Sequence, residues 1–290
     1  MSDSDHFRRL RSLDHWRGPI AVSPLSGGIT NINYLIDDGG SRYVARLCVE
    51  LPLLGIDRRN EILCHQAAIA CGIAPELVHH EPGLLVSRYQ AGKTLDAEAM
   101  REGSVIDRIG RVLHRLHDSW DTLTGEILYF CPFQTVRTYA RTAQRLHAEL
   151  PSDIEELLED IRGLSRRIGP FRPVLCHNDL LAANLIDDGE RIWVIDWEYG
   201  GIGHPLFDVA NVCANSGLNP DQEERLLTAY RGHVVESELR DLRILRAASS
   251  LRDALWSIIQ TVASDIEFDY RGYADDNLRM FRKSRSLLGS

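Results

Sequence analysis

The chain has 290 residues, 44% hydrophobic and 26% charged, an ordinary globular balance with enough apolar surface for one large domain or two lobes. Its 33 Lys plus Arg against 42 Asp plus Glu give a formal charge of -9, which disfavours nucleic acid as a partner and attracts cations. No basic start leads into an apolar segment, and the longest uncharged apolar stretch, residues 254–263, is far too short to cross a bilayer, so a cytoplasmic protein without membrane insertion is expected.

Taken in chain order, residues 20–24, 32–37 and 43–48 have strand character, with Asp38-Gly39-Gly40 turning the second into the third. Ser26-Gly27-Gly28-Ile29-Thr30-Asn31 joins the first two. Its glycines allow close backbone approach, and its hydroxyl and amide side chains suit a phosphate cradle, although a Gly-Gly turn is by itself only a turn. No Gly-Lys-Ser/Thr follows, so it is not a Walker loop. Residues 58–71 have helical periodicity and close on Gly72. Residues 77–80 and 84–87 form a further hairpin about Glu81-Pro82-Gly83.

From residue 90 the character turns helical, with patterns over 105–116, 135–150, 153–168, 221–235, 239–264 and 275–287. The hairpin within 176–196 is the one clear β feature of this half. The expectation is an α+β, two-lobe protein: a small β-rich lobe over residues 1–90, a larger mostly helical lobe over 91–290, and a ligand cleft between them. The six cysteines, at 48, 64, 71, 131, 176 and 213, form no Cys-x-x-Cys pair and read as reduced core residues. His114 and His117 lie three apart on a helix, but no third ligand has metal-like spacing, so they read as packing or surface residues.

The most informative stretch runs from His177-Asn178-Asp179 through Asn184 to Asp196. Asp187-Asp188-Gly189 turns one apolar run into another, so antiparallel pairing brings Asn184, at the entrance of the first strand, and Asp196, at the exit of the second, to the same open end. Asp179 lies beside them in the preceding loop. A carboxylate to position or deprotonate a hydroxyl, with an amide oxygen and a second carboxylate for a hard cation, is what magnesium-dependent phosphoryl transfer requires. The same residues also suit an asparagine-capped turn next to a hairpin. His177 is expected to orient the loop rather than react.

On these residues the chain resembles the choline/ethanolamine kinase family, within the aminoglycoside-phosphotransferase-like superfamily that shares the protein-kinase-like fold. The matching segments are Leu25-Ser-Gly-Gly-Ile-Thr-Asn31, Tyr43-Val-Ala-Arg-Leu47, Cys176-His-Asn-Asp179 with Asn184, and Val194-Ile-Asp-Trp-Glu-Tyr199. Leu255-Trp-Ser-Ile-Ile-Gln260 and Ile266-Glu-Phe-Asp-Tyr-Arg-Gly-Tyr273 complete the set. The resemblance implies an ATP- and Mg2+-dependent kinase, with Asp179 as catalytic base and Asn184 and Asp196 as metal ligands. It places Arg46, braced by Glu61, on the ATP phosphates under Ser26, Gly27, Gly28, Thr30 and Asn31. Ser87, Arg88 and Gln90, at the junction of the lobes, are expected near the adenine.

The acceptor pocket implied by the resemblance is an aromatic cage with a carboxylate for a cationic headgroup. Trp256 and Tyr273 fall on cage positions, and Glu198 is a further candidate contact. A second tryptophan expected before Trp256 is Asp253, and an acidic residue expected downstream of Asp196 is Asn215. Asp253, sharing a helix face with Trp256, could supply the missing anion and favour a primary or partly methylated amine over choline. The expected partner is thus a small, cationic alcohol, with the protein a monomer or homodimer. An aminoglycoside, thiamine or sugar kinase is the alternative, and a non-catalytic nucleotide-binding regulator is a third. A protein kinase is disfavoured, because Trp197-Glu-Tyr-Gly-Gly follows Asp196 with no Phe-Gly and no long activation segment.

Overall fold

The computed structural model describes residues 3–25, 31–48, 51–119, 121, 123–264 and 266–288. Its first part is a five-stranded antiparallel sheet of β1 (Ala21–Leu25), β2 (Ile32–Asp38), β3 (Ser41–Leu47), β4 (Leu77–Glu81) and β5 (Leu84–Arg88), in the order β1-β2-β3-β5-β4. Gly39 and Gly40, at φ 60° and 96°, turn β2 into β3, a conformation that costs glycine little, and the Asp37 carboxylate accepts from the Gly40 amide at 2.9 Å. One sheet face buries Tyr34, Ile36, Tyr43, Ala45, Leu84 and Val86 against Leu10 of helix α1 (Asp3–Arg11). β3 pairs with both β2 and β5, so Arg46 stands on the central strand of the sheet.

Helix α2 (Arg58–Ala70) starts at Asp57, whose carboxylate accepts from the Asn60 amide at 2.9 Å, and ends ahead of Gly72 at φ 67°. Its Cys64, Ala67 and Ala68 are buried in the larger core with Leu175, Trp197 and Phe207. The Ile73 carbonyl accepts from the Val194 amide at 2.8 Å. The segment that carries Glu61 is therefore anchored to the second half of the chain.

The remainder is mainly helical: α3 (Gly103–His117), α4 (Pro132–Arg145), α5 (Ile154–Ser165), α6 (Pro205–Asn215), α7 (Pro220–Arg231), α8 (Glu236–Ala263) and α9 (Tyr270–Leu288). The expected helix over 275–287 begins five residues earlier. That over 135–150 stops at Arg145, where His147 takes φ 54°, and that over 221–235 stops at Gly232, φ 85°. The hairpin is not the only β structure here. β6 (Lys93–Thr94), β8 (Leu185–Asp187) and β9 (Ile192–Val194) form one small sheet, and β7 (Val174–Cys176) pairs with β10 (Gly201–Gly203). Three-residue strands are too short to leave a period in the sequence. Helix α6 also escapes periodicity, because Pro205 through Ala214 are all buried and no polar face alternates with an apolar one.

Candidate active site

Two loops converge because the strands beside them pair. β7 leads into the loop 177–184, β10 follows the loop 195–200, and Cys176 stands opposite Gly201 in an antiparallel register. At the other end, the Asn184 carbonyl accepts from the Ile195 amide at 3.0 Å. Asn184 closes a short 3-10 turn, Ala182–Asn184, just before β8, and Asp196 follows β9. Gly200 has no room for a side chain, since an added Cβ would lie 2.7 Å from the Cys64 Cβ. Asn178 and Asp196 take φ 66° and 67°, left-handed conformations that Asn and Asp tolerate better than other side chains.

The loop 177–184 is held from behind by one buried carboxylate. Asp208 of α6 accepts from the His177 amide (2.8 Å), the Asn178 amide (2.7 Å) and Nε2 of His117 (3.1 Å). The Tyr230 hydroxyl lies 2.8 Å from Nδ1 of His117. Farther along α6, Asn211 accepts from the Leu180 amide and Asn215 donates to the Leu180 carbonyl at 3.3 Å. Asn215 thus supports the loop by a bond that a carboxylate could not donate. His177 accepts from the Asp179 amide at Nδ1 (3.2 Å), so its Nε2 carries the proton toward the Ile195 carbonyl (2.9 Å). Burial lowers its pKa, which keeps the ring neutral and in an orienting role.

Asp179, Asn184 and Asp196 line one cleft of about 620 Å3 between the sheet and the helical half, a volume within the usual range for ligand sites. The Asn184 side-chain amide donates to the Asp179 carbonyl at 2.9 Å, which turns its oxygen away from that bond. Burial pushes the Asp179 carboxyl up to about 7; Arg252 opposes that shift, while the anions of Asp253 and Asp196 add to it. Arg252 was not foreseen. Its Nη2 bonds the Asp179 carboxylate at 2.8 Å and the Asp253 carboxylate at 2.6 Å.

On the sheet side, Arg46 forms ion pairs with Glu61 and with Asp196. Arg58, also not singled out from sequence, pairs with Glu61 at 2.7 Å and with Glu198 at 2.9 Å. The Asn31 side chain donates to Glu198 at 3.1 Å. Glu198 lines the cleft, but its carboxylate is engaged by Arg58 and Asn31, which departs from its expected role as an acceptor contact. Ser26, Gly27, Gly28 and Thr30 lie outside the described residues.

Ser87, Arg88 and Gln90 line the cleft with Leu25, Val44 and Leu77, an apolar slot suited to a flat ring. The amides of Arg88 and Tyr89 already donate to the carbonyls of Glu76 (2.8 Å) and Arg42 (3.0 Å). A nucleobase here would draw on carbonyls and not on those two amides. The Arg88 guanidinium is occupied by Glu76 at 2.6 Å and lies over the Tyr43 ring, so its side chain is engaged by the sheet.

At the other end of the cleft the rings of Trp256, Phe268 and Tyr273 gather, with centroids 6.5 Å apart for Trp256 and Tyr273 and 6.0 Å for Phe268 and Tyr273. The Trp256 indole donates to the Tyr199 hydroxyl at 3.1 Å. Phe268 lies in the family-like segment 266–273, which is the signal the sequence carries for it. Asp253 is here too, but it does not offer a free anion. Arg252 holds one of its oxygens, the Ser249 hydroxyl lies 3.5 Å from the other, and the residue is 5% exposed.

Asn184 and Asp196 present an amide oxygen and a carboxylate, the hard donors that a magnesium ion takes. Away from the cleft, His117, Cys176 and Asp208 are close enough together to hold a metal. Asp208 already accepts three protein N–H groups there, and burial raises the Cys176 thiol pKa well above its ordinary value, so that group reads as a loop anchor.

The family model described as the phosphotransferase enzyme family matches residues 21–246. A probable ethanolamine kinase of Arabidopsis thaliana is 28% identical over 323 residues, covering 98% of this chain and 84% of its own. Protein LicA of Haemophilus influenzae is 27% identical over 266 residues, covering 84% of this chain and 75% of its own. The crystal structure of a choline/ethanolamine kinase family protein from Mesorhizobium loti superposes with a TM-score of 0.81 at 28% identity, covering 100% of this chain and 96% of its own. These similarities agree with the family resemblance and the two-lobe α+β fold read from the sequence. No helix among the described residues is long and apolar enough to cross a membrane.

Proposed function

The chain belongs to the phosphotransferase enzyme family, and from that premise we propose that it transfers the γ-phosphate of ATP to the hydroxyl of a small amino alcohol of the choline or ethanolamine kind. The observation that carries this reading is the meeting of Asp179, Asn184 and Asp196 in one cleft, facing Arg46, which the buried Glu61 holds from behind. Asp179 orients the acceptor hydroxyl and takes its proton as the oxygen attacks phosphorus in line. Its raised pKa suits that exchange, since a base poised near neutral pH is ionised yet able to hold the proton. Arg46 turns from Asp196 toward the phosphates, with Glu61 holding the other side of its guanidinium.

Asn184 and Asp196 would hold magnesium, which supplies charge neutralisation for the phosphate oxygens when bound. The apolar slot at Leu25, Val44 and Leu77 receives the adenine. The rings of Trp256, Phe268 and Tyr273 offer faces to an ammonium group. The relative named as a probable ethanolamine kinase and the choline/ethanolamine kinase family neighbour support an amino alcohol as acceptor.

The test is an ADP-release screen over ethanolamine, its N-methylated derivatives, choline, thiamine and an aminoglycoside, with Asp179→Asn as the blank. Acceptor-dependent ADP release confined to the amino alcohols supports the reading. Release driven by the aminoglycoside or thiamine alone reassigns the acceptor, and none with any alcohol refutes a kinase of this class.

A further inference from the structure

The acceptor half of the cleft contains a buried cation that neither phosphate handling nor recognition of an ammonium group explains. Arg252, on α8, is 4% exposed, in a stretch of helix where Ala247, Ala248, Leu251, Ala254 and Leu255 are buried apolar residues. Its Nε donates to Asp253 Oδ1 at 2.7 Å, and its Nη2 bonds that same oxygen and Asp179 Oδ1. Its Nη1 donates to the Asn178 carbonyl. One rigid guanidinium thus grips the carbonyl of one loop residue and the carboxylate of the next. Asp179 Oδ2 lies outside that grip, on a residue that lines the cleft.

A carboxylate turns easily about its last torsion, so fixing one oxygen removes a freedom that the reaction would otherwise have to freeze. A guanidinium this deep also needs a counter-charge of its own, and Asp253 supplies it through the bonds to Nε and Nη2. Asp253 faces inward, with Oδ1 on Arg252 and Oδ2 toward Ser249, and so is poorly placed to hold a ligand.

We propose that Arg252 is a positioning residue for Asp179, and that Asp253 is the counter-ion of Arg252 and not an anchor for the acceptor. This rests on the reading of Asp179 as the residue that receives the acceptor hydroxyl. It predicts that the two α8 residues act as one unit and that their loss is felt in turnover, not in acceptor binding.

Steady-state kinetics with Mg-ATP and whichever amino alcohol the wild type turns over fastest tests this. Arg252→Met is expected to lower kcat by ~10²-fold, the scale of an ångström-size misplacement, with acceptor KM changed less than about twofold. Asp253→Asn is expected to lower kcat by roughly tenfold, again with little change in KM, and the double variant should be no worse than Arg252→Met alone. Arg252→Met leaves two carboxylates facing each other and can fail to fold; the double variant removes one of them and keeps the experiment decisive. An acceptor KM raised tenfold or more by Asp253→Asn with kcat intact overturns the assignment in favour of an anchor. An Arg252→Met enzyme within twofold of wild-type kcat overturns it as well. A wild type that turns over no alcohol refutes the proposed function itself, a separate outcome that takes this inference with it.

Discussion

Replacing Asp208 by Asn gives a direct measure of how the loop 177–184 is held. The carboxylate is fully buried and accepts from two loop amides and from His117. Asparagine offers one acceptor oxygen and puts an NH2 group where the second oxygen stood, so one amide keeps a partner while the NH2 confronts the His177 N–H and His117 Nε2. His117 can relieve its share by moving its proton to Nδ1 and donating to the Tyr230 hydroxyl. The buried backbone N–H cannot, and one unmade bond costs about 1–3 kcal/mol. Loss of charge assistance to the remaining amide brings the total to about 3 kcal/mol. For a chain of this size that is a fall in Tm of ~5–10 °C. The loop would also drift, carrying Asp179 with it and lowering kcat by ~10²-fold. Differential scanning fluorimetry of the ligand-free protein and steady-state kinetics read the two effects separately. An Asp208→Asn protein that melts within about 1 °C of wild type and keeps its kcat would refute this account of the loop.

Under the proposed role of Arg46 on the ATP phosphates, Arg46→Met should raise the KM for ATP by roughly tenfold or more while leaving the acceptor KM nearly unchanged; initial-rate kinetics at varied ATP decide it, and an unchanged ATP KM contradicts the assignment. Stability should fall on acidification through two buried histidines. Burial lowers the pKa of His65 and of His204 to about 4, below the unfolded value near 6.5. Stability from keeping each neutral is therefore complete above about pH 6.5 and is lost as pH falls toward 4, to a limit of about 3 kcal/mol per residue. Denaturant melts at pH 7 and 4.5 should show a smaller acid loss for His65→Gln, whose amide can still donate to the Pro75 carbonyl, and equal losses would contradict the burial argument.

The parts of the site legible in the sequence were those whose placement depends on local chain geometry. Asp187-Asp188-Gly189 makes a tight turn, so Asn184 and Asp196 had to flank one hairpin end. The Arg46 and Glu61 pair was implied by the family resemblance alone, and in the fold the two side chains do form an ion pair. What stayed hidden depends on contacts between distant segments. Arg252 lies 73 residues from Asp179, and local sequence does not say which distant loop an Arg-Asp pair on a helix would meet. A guanidinium inside a run of alanines and leucines was the available signal, and it also shows why Asp253 is not the free anion that helix spacing suggested. Asp208 was obscured in the same way, by a helix buried on every side. Arg58 is a helix-start residue by sequence, and only the folded chain brings it to Glu198.

The central claim is that Asp179, Asn184 and Asp196 together manage transfer of a phosphoryl group to an alcohol. Phosphorus-31 NMR of the protein with Mg-ATP and ethanolamine tests it most directly. A phosphomonoester resonance should grow with ADP in equal amounts for the wild type and stay absent for Asp179→Asn. Inorganic phosphate as the only product, or a monoester formed equally fast by the Asp179→Asn protein, would contradict the claim.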